Sequence, residues 1–266
     1  RHTRCLSDWS SDVCSSDLVN RHAQHAPLQP LPVGEVFSRL HIDILGPLKT
    51  SPEGYKYVLL VVDSFSKWCE AFPLKTQEAD KVARILYNEI ICRYGAPSSL
   101  LSDRGTQFMS KLITQLCSIF QITKVHTSSY HPQTNASCER MNSFIWQTLR
   151  AYCKPDQSDW VDLLPSVMFA YRSTPATEST QLSPFMILFG RECRLPIDTA
   201  LIPQPQQSAQ SSTLNRIMHN FDATRKIAEN NIKASQVKYK DQFDKNSKTP
   251  TYQEGQKVWQ IGRAHV

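Results

Sequence analysis

Arg39-Leu40-His41-Ile42-Asp43-Ile44-Leu45 alternates in character from residue to residue and stops at Gly46-Pro47. A period of two is the signature of a strand with two unlike faces. Tyr55–Val62 follows as a nearly continuous apolar run, the pattern of a strand covered on both sides. Trp68–Leu74 reads as a third strand after a turn at Ser64–Lys67, and the short connections predict antiparallel hairpins. Then the period changes. Val82, Ile85, Leu86 and Ile90 share one helical face between Thr76 and the stop at Gly95-Ala96-Pro97. Ser98–Ser102 is a short fourth strand. Phe108, Leu112, Leu116 and Ile119 mark a second helix, and Gln121–Thr127 a fifth strand. Ser128–Thr134 is a polar loop. Asn135–Tyr152 is a third helix with Cys138, Met141, Ile145 and Leu149 as its apolar stripe, and a fourth covers 157–172. Three strands in a meander, then helices alternating with strands, predict an α/β domain: a five-stranded mixed sheet with flanking helices.

Three acids stand out on this frame. Asp43 lies inside the first strand, Asp103 ends the fourth at a turn made by Arg104-Gly105, and Glu139 opens the third helix beside its apolar stripe. If the first and fourth strands are neighbours, the three carboxylates converge at one rim. Clustered carboxylates suit hard Mg²⁺ or Mn²⁺, and two such ions serve phosphoryl transfer on a nucleic acid. Spacing alone is weak support, because a single aspartate in a strand is commonly a turn cap or a surface group. That each acid falls at the element end or rim a shared site requires is the stronger signal.

Composition sets the outer bounds. The chain has 266 residues, 40% hydrophobic and 20% charged, enough apolar material for one sizeable core. Its longest apolar runs fall far short of the roughly 20 residues that span a bilayer. No charged start precedes an apolar stretch of signal-peptide length, so the expectation is an intracellular protein, neither secreted nor membrane-bound. Net charge is +6, and residues 191–266 hold 12 Lys and Arg against 7 Asp and Glu. A basic tail fits a polyanionic partner or simply a solvated helix.

The motifs carry a specific resemblance. His41-Ile-Asp43-Ile-Leu-Gly-Pro47, Val61-Val-Asp63-Ser-Phe-Ser-Lys-Trp68, Glu70-Ala-Phe-Pro73, Ser102-Asp103-Arg-Gly-Thr-Gln-Phe108, Tyr130-His-Pro-Gln-Thr-Asn135, Glu139-Arg140-Met-Asn142 and Ser183-Pro184-Phe185 with Phe189-Gly190-Arg191 occur in order. Together they resemble the integrase catalytic core of gypsy-type LTR retrotransposons and retroviruses, over roughly residues 20–204. The resemblance implies a ribonuclease-H-like fold, with Asp43, Asp103 and Glu139 as a metal-binding catalytic triad holding two Mg²⁺ or Mn²⁺ ions. It implies 3′-end processing and strand transfer on DNA, with element DNA ends and target DNA as partners, self-association into a multimer, and action in the nucleus after synthesis in the cytoplasm. Tyr130, His131, Gln133 and Asn135, on the loop before Glu139, and Arg140 are candidate DNA contacts. Asp63 reads as a structural cap after the second strand. The loop departs from the family pattern: Ala136 stands where glycine is usual, and alanine lacks glycine's conformational freedom. That departure supports the alternative, a catalytically decayed or host-recruited DNA- or protein-binding module of the same fold.

Along the chain, residues 19–37 are expected to be a Pro-rich lead-in and 38–204 the catalytic core. Residues 205–213 are a linker, 214–247 a basic helical segment, and 248–260 the start of a truncated small β module. Residues 173–204 read as irregular. Residues 1–18 and 261–266 resemble translated sequencing-library adaptor from its two ends, and are expected to be non-native. With Cys5 and Cys14 in that segment, no zinc site is expected in the native part. The other six cysteines stand singly and read as small buried residues. Trp68, Trp146 and Trp160 read as core.

Overall fold

The computed structural model describes residues 32–126, 136–177, 179–195 and 210–245, with the side chains of 136–139 and 210–220 left out. The expectations for 1–31, for the linker up to 209 and for the small β module lie outside the described residues. Residues 32–235 belong to one compact unit.

Five strands form one sheet: β1 Arg39–Leu45, β2 Tyr57–Asp63, β3 Cys69–Leu74, β4 Ser99–Ser102 and β5 Thr123–His126, in the order β3-β2-β1-β4-β5. β1, β2 and β3 pair antiparallel, while β4 runs parallel to both β1 and β5. The mixed sheet is therefore as expected, and the first and fourth strands are neighbours. Gly46 ends β1 with φ +132°, and a Cβ there would stand 2.8 Å from the Lys56 carbonyl oxygen, so this turn requires glycine.

The pleat sorts side chains between two cores. Leu40 and Ile42 of β1, Leu59 and Val61 of β2 and Leu100 of β4 face one side. There they meet α1, built from Ala79–Ile85, a π-helical segment Leu86–Ile91 and Cys92–Tyr94, and α2, Lys111–Ile119. Leu45, Val58, Leu60 and Val62 face the other side, against α3 (Ala136–Tyr152) and α4 (Trp160–Ser173). Met141, Ile145 and Leu149 of α3 are all buried there, as their spacing predicts.

Several expectations need correction. The stripe read for α2 is rotated. Phe108 is buried but precedes the helix, whereas Leu112 and Ile119 are 41% and 75% exposed; the buried residues are Ile113 and Cys117. Ser110 caps α2, accepting from the Ile113 amide at 3.3 Å, and this cap places the helix start. Residues 173–204 are not wholly irregular: α5, Pro184–Phe189, has Ser183 as its cap, Pro184 in its first turn and left-handed Gly190 at its end. The basic helix, α6, runs Gln210–Asp244 and so begins inside the expected linker. Ala228 and Ile232 of α6 bury against Phe65 and Ile187, forming a third, small core. Trp68 and Trp160 are buried, but Trp146 is 37% exposed. Cys69 and Cys117 are buried, Cys153 and Cys193 half-buried, and Cys92 exposed. Among the described residues no helix is long and apolar enough to cross a membrane.

Candidate active site

Strand register builds the site. His41 of β1 lies opposite Leu101 of β4 in a parallel ladder. Asp43 and Asp103 each stand two residues further on. In a pleated strand i and i+2 share a face; Asp43 accordingly lies on the face toward α3, and Asp103 follows directly on the end of the neighbouring β4. Leu45 of β1 and Leu60 of β2, the latter opposite Asp43, confirm that face by packing into the α3–α4 core.

Both aspartates are half-buried. Asp43 accepts from its neighbour's amide, Ile44 N, at 2.8 Å through one oxygen, and from Asn142 Nδ2 at 2.8 Å through the other. Asp103 accepts from the Gly105 amide at 2.9 Å, which folds the Arg104-Gly105 turn back on it. Its carbonyl accepts from the buried Ser102 hydroxyl at 2.9 Å, and Ser102 Oγ lies 3.4 Å from His126 Nδ1 at the end of β5.

Glu139 lies on the α3 backbone three residues before Asn142, about 4.5 Å along the axis at 1.5 Å per residue. Its backbone position is thus one turn from a residue that touches Asp43. The Glu139 side chain, and the loop with Tyr130, His131, Gln133 and Asn135, lie outside the described residues. Arg140 is exposed on α3. Position 136 is the first residue of α3, where alanine is the best helix former, so a helical residue there has no need of glycine's freedom.

Asp63 sits apart and does structural work. It is buried, and accepts from the Phe37 amide at 3.0 Å, the Ser66 amide at 2.8 Å and the Ser66 hydroxyl at 2.6 Å. Burial nevertheless dominates and raises its pKa above the ordinary carboxylate value. In the same turn Lys67 adopts φ +62° and donates to the Ser64 carbonyl at 2.6 Å. Burial, and secondarily the Arg140 guanidinium, lowers its pKa to about 8, against a smaller opposing pull from Asp63.

Sequence reasoning missed the role of Asn142. Its amide fixes one oxygen of Asp43, while its own Oδ1 is buried with no hydrogen-bond partner in the described structure. The available signal was a polar residue one turn after Glu139, next to the buried Met141.

Among the described residues no group of three or more His, Cys, Asp or Glu side chains forms a metal cluster. Asp43 and Asp103 nonetheless have the chemistry a hard divalent ion prefers, carboxylate oxygen.

Residues 35–132 match the family described as the integrase core domain. The chain is 34% identical over 211 residues to a Gag-Pol polyprotein of avian reticuloendotheliosis virus, covering 79% of this chain and 18% of that one. It carries an integrase core domain of the retroviral Pol type. A second relative of this integrase core is the Gag-Pol polyprotein of feline leukemia virus, 41% identical over 145 residues, which make up 54% of this chain and 8% of the relative. A third is a retrovirus-related Pol polyprotein from transposon 412 of Drosophila melanogaster, 28% identical over 160 residues, or 60% and 13% of the two chains. The chain spans less than a fifth of the length of each of these three. Among solved structures, a simian T-cell lymphotropic virus intasome in complex with a PP2A regulatory subunit superposes with a TM-score of 0.53. Identity is 19%, with 74% of this chain and 69% of that one covered. This likeness shows the shared fold, and the integrase core is ribonuclease-H-like as expected.

Proposed function

We propose that the integrase core processes DNA 3′ ends and joins them to target DNA, with Asp43, Asp103 and Glu139 as the catalytic acids. The observation that supports this reading is the parallel register of β1 and β4, in which Asp43 and Asp103 each follow the paired His41 and Leu101 by two residues. The three acids would hold two Mg²⁺ or Mn²⁺ ions, which when bound supply charge relief at phosphate and a more acidic attacking hydroxyl.

The chain's own contribution is positioning. The sheet fixes the spacing of Asp43 and Asp103 before substrate arrives, so little reorganisation is left for the reaction. Asn142 keeps one Asp43 oxygen from rotating, and Gly105 does the same for Asp103. In the first step water breaks a phosphodiester near the DNA end and leaves a 3′-hydroxyl. In the second, that hydroxyl forms a bond to a target-strand phosphorus as the old phosphorus–oxygen bond breaks. Bonds made and broken balance, so no covalent protein intermediate and no outside energy source are required. Tyr130, His131, Gln133, Asn135 and Arg140 are assigned to DNA contacts beside Glu139. Further copies of the chain complete the assembly on the two element ends, and with DNA as substrate the action belongs in the nucleus.

Asp103→Asn in the full native protein tests the reading. A gel that separates joined from merely cleaved strands, run with Mg²⁺ or Mn²⁺, should show both products lost. Retained joining removes Asp103 from the chemistry. Cleavage without joining in the unsubstituted protein would assign a hydrolytic nuclease instead.

A further inference from the structure

Four aromatic rings gather where α5 meets α6 and the start of β3. Phe185 and Phe189 lie 4.5 Å apart between centroids, with Trp68 6.4 and 5.6 Å from them. Gly190 ends α5 at φ +68°, and a Cβ there would stand 3.1 Å from the Phe221 ring. The missing side chain is what lets α6 bring Phe221 against the end of α5.

Three guanidinium groups lie over these rings: Arg172 over Trp68 at 4.4 Å, Arg191 over Phe185 at 5.1 Å and Arg225 over Phe221 at 5.5 Å. They are not equivalent. Arg172 is used inside the fold, where it donates twice to the Cys69 carbonyl and pairs with Glu70. Arg191 and Arg225 are exposed and have no carboxylate partner among the described residues. Arg194 and Lys226 are likewise exposed and without one. Of the nearby acids, Glu229 pairs with Lys233, while Glu192, which accepts from the Ser183 hydroxyl at 2.9 Å, and Asp222 are exposed, so the four cations outnumber the two exposed acids. The ring of Phe189 is itself 43% exposed.

We propose that this arginine-on-aromatic surface is a second nucleic-acid-binding site, separate from the Asp43–Asp103 rim and directed at the DNA backbone. A guanidinium laid on a ring has its plane already set, so it offers its donor fork to a phosphate with less entropy left to lose. An exposed phenylalanine beside it provides a surface for a sugar or an unpaired base. The surface lies at the β3 edge. Asp43 lies on β1 and Asp103 just past the end of β4, at least two strand spacings away, or about 10 Å. The choice of DNA rests on the function proposed above; the existence of a polyanion site rests on the arginines alone.

The test is binding of a labelled DNA duplex to the full protein in EDTA, where no strand is cut. Arg191→Gln with Arg225→Gln should lower affinity about tenfold. It should also reduce the slope of log affinity against log salt by about 2, close to 0.9 for each phosphate no longer neutralised. Phe189→Ala, checked for an unchanged unfolding midpoint because this ring also packs on Phe185 and Trp68, should weaken binding of a single strand at least about fivefold. Unchanged affinity and slope in both variants overturn the proposal. Stronger competition by polyglutamate than by DNA of equal charge also overturns it, and assigns the surface to an acidic protein partner. Binding in EDTA is read without any strand joining, and joining by the unsubstituted protein is read on the gel described above, so failure of the catalytic reading and failure of this one give different results.

Discussion

Ile42 and Asp43 are adjacent on β1 and point to opposite faces of one sheet. Ile42 is fully buried among Leu59, Leu100 and the helices α1 and α2, a region built from apolar contacts. Asp43 faces α3, half-exposed and tied to Asn142. One strand thus serves a face that holds the fold together and a face that holds chemical groups in place. The difference teaches that stability and activity can be separated in this chain by moving a single residue along it.

Four substitutions can break or sharpen that separation. Asp43→Asn should lower strand transfer at least about 10³-fold, in line with loss of one group from a catalytic constellation. Its melting temperature should stay within a few degrees of the parent; a large drop would show that the polar face also carries stability. Ile42→Ala, one residue away, should cost about 3 kcal/mol in denaturant unfolding through reduced burial and a residual cavity. Its rate per folded molecule should stay unchanged, and a fall in that rate would show that the apolar face sets the site's geometry. Asn142→Ala should lower the rate about tenfold by freeing one Asp43 oxygen, with little change in DNA affinity. An equal fall in affinity would make Asn142 a binding residue instead.

Lys67→Gly should show the smallest effect, a gain of about 1 kcal/mol at neutral pH from relief of the left-handed backbone. It also has a pH signature. Lys67 titrates at about 8 in the folded chain, below the ordinary lysine value of 10.5. Between these values the unfolded chain holds a proton that the folded chain lacks, so the parent's stability should rise with pH across that window. In Lys67→Gly that rise should vanish, as denaturant midpoints at pH 8 and 10 would show.

The fold was readable wherever one physical signal dominated. The alternation in β1 and the single stripe Met141, Ile145, Leu149 on α3 each leave one way to bury apolar surface. α2 carries apolar residues on more than one face, and period alone could not choose Ile113 over Leu112. That choice falls to the Ser110 cap and the way the helix docks on Leu100 and Ile122. α5 was overlooked because Pro184, with Pro175, Pro196 and Pro203 around it, reads as a breaker, when it sits in the first turn of a helix only six residues long. For the candidate site, Asp43 and Asp103 were legible as acids on or beside strands that the sequence pattern allows to be neighbours, and β1 and β4 do pair. The Asn142 contact was not readable, because it joins residues 99 positions apart and depends on how α3 lies across the sheet.

The parallel pairing of β1 with β4 has a consequence for timing. Its register joins residues sixty positions apart, and the Asn142 bond spans further still. Contacts of such long sequence separation form late, after the intervening loop has been closed. While the chain is still being synthesised, Asp43 emerges early and waits as an isolated carboxylate. The hairpins of the first three strands can assemble around it, but the pair is incomplete until residue 103 has been made and β4 has docked. In a nascent chain the two aspartates therefore come together only once translation has passed residue 103 and β4 has docked on β1.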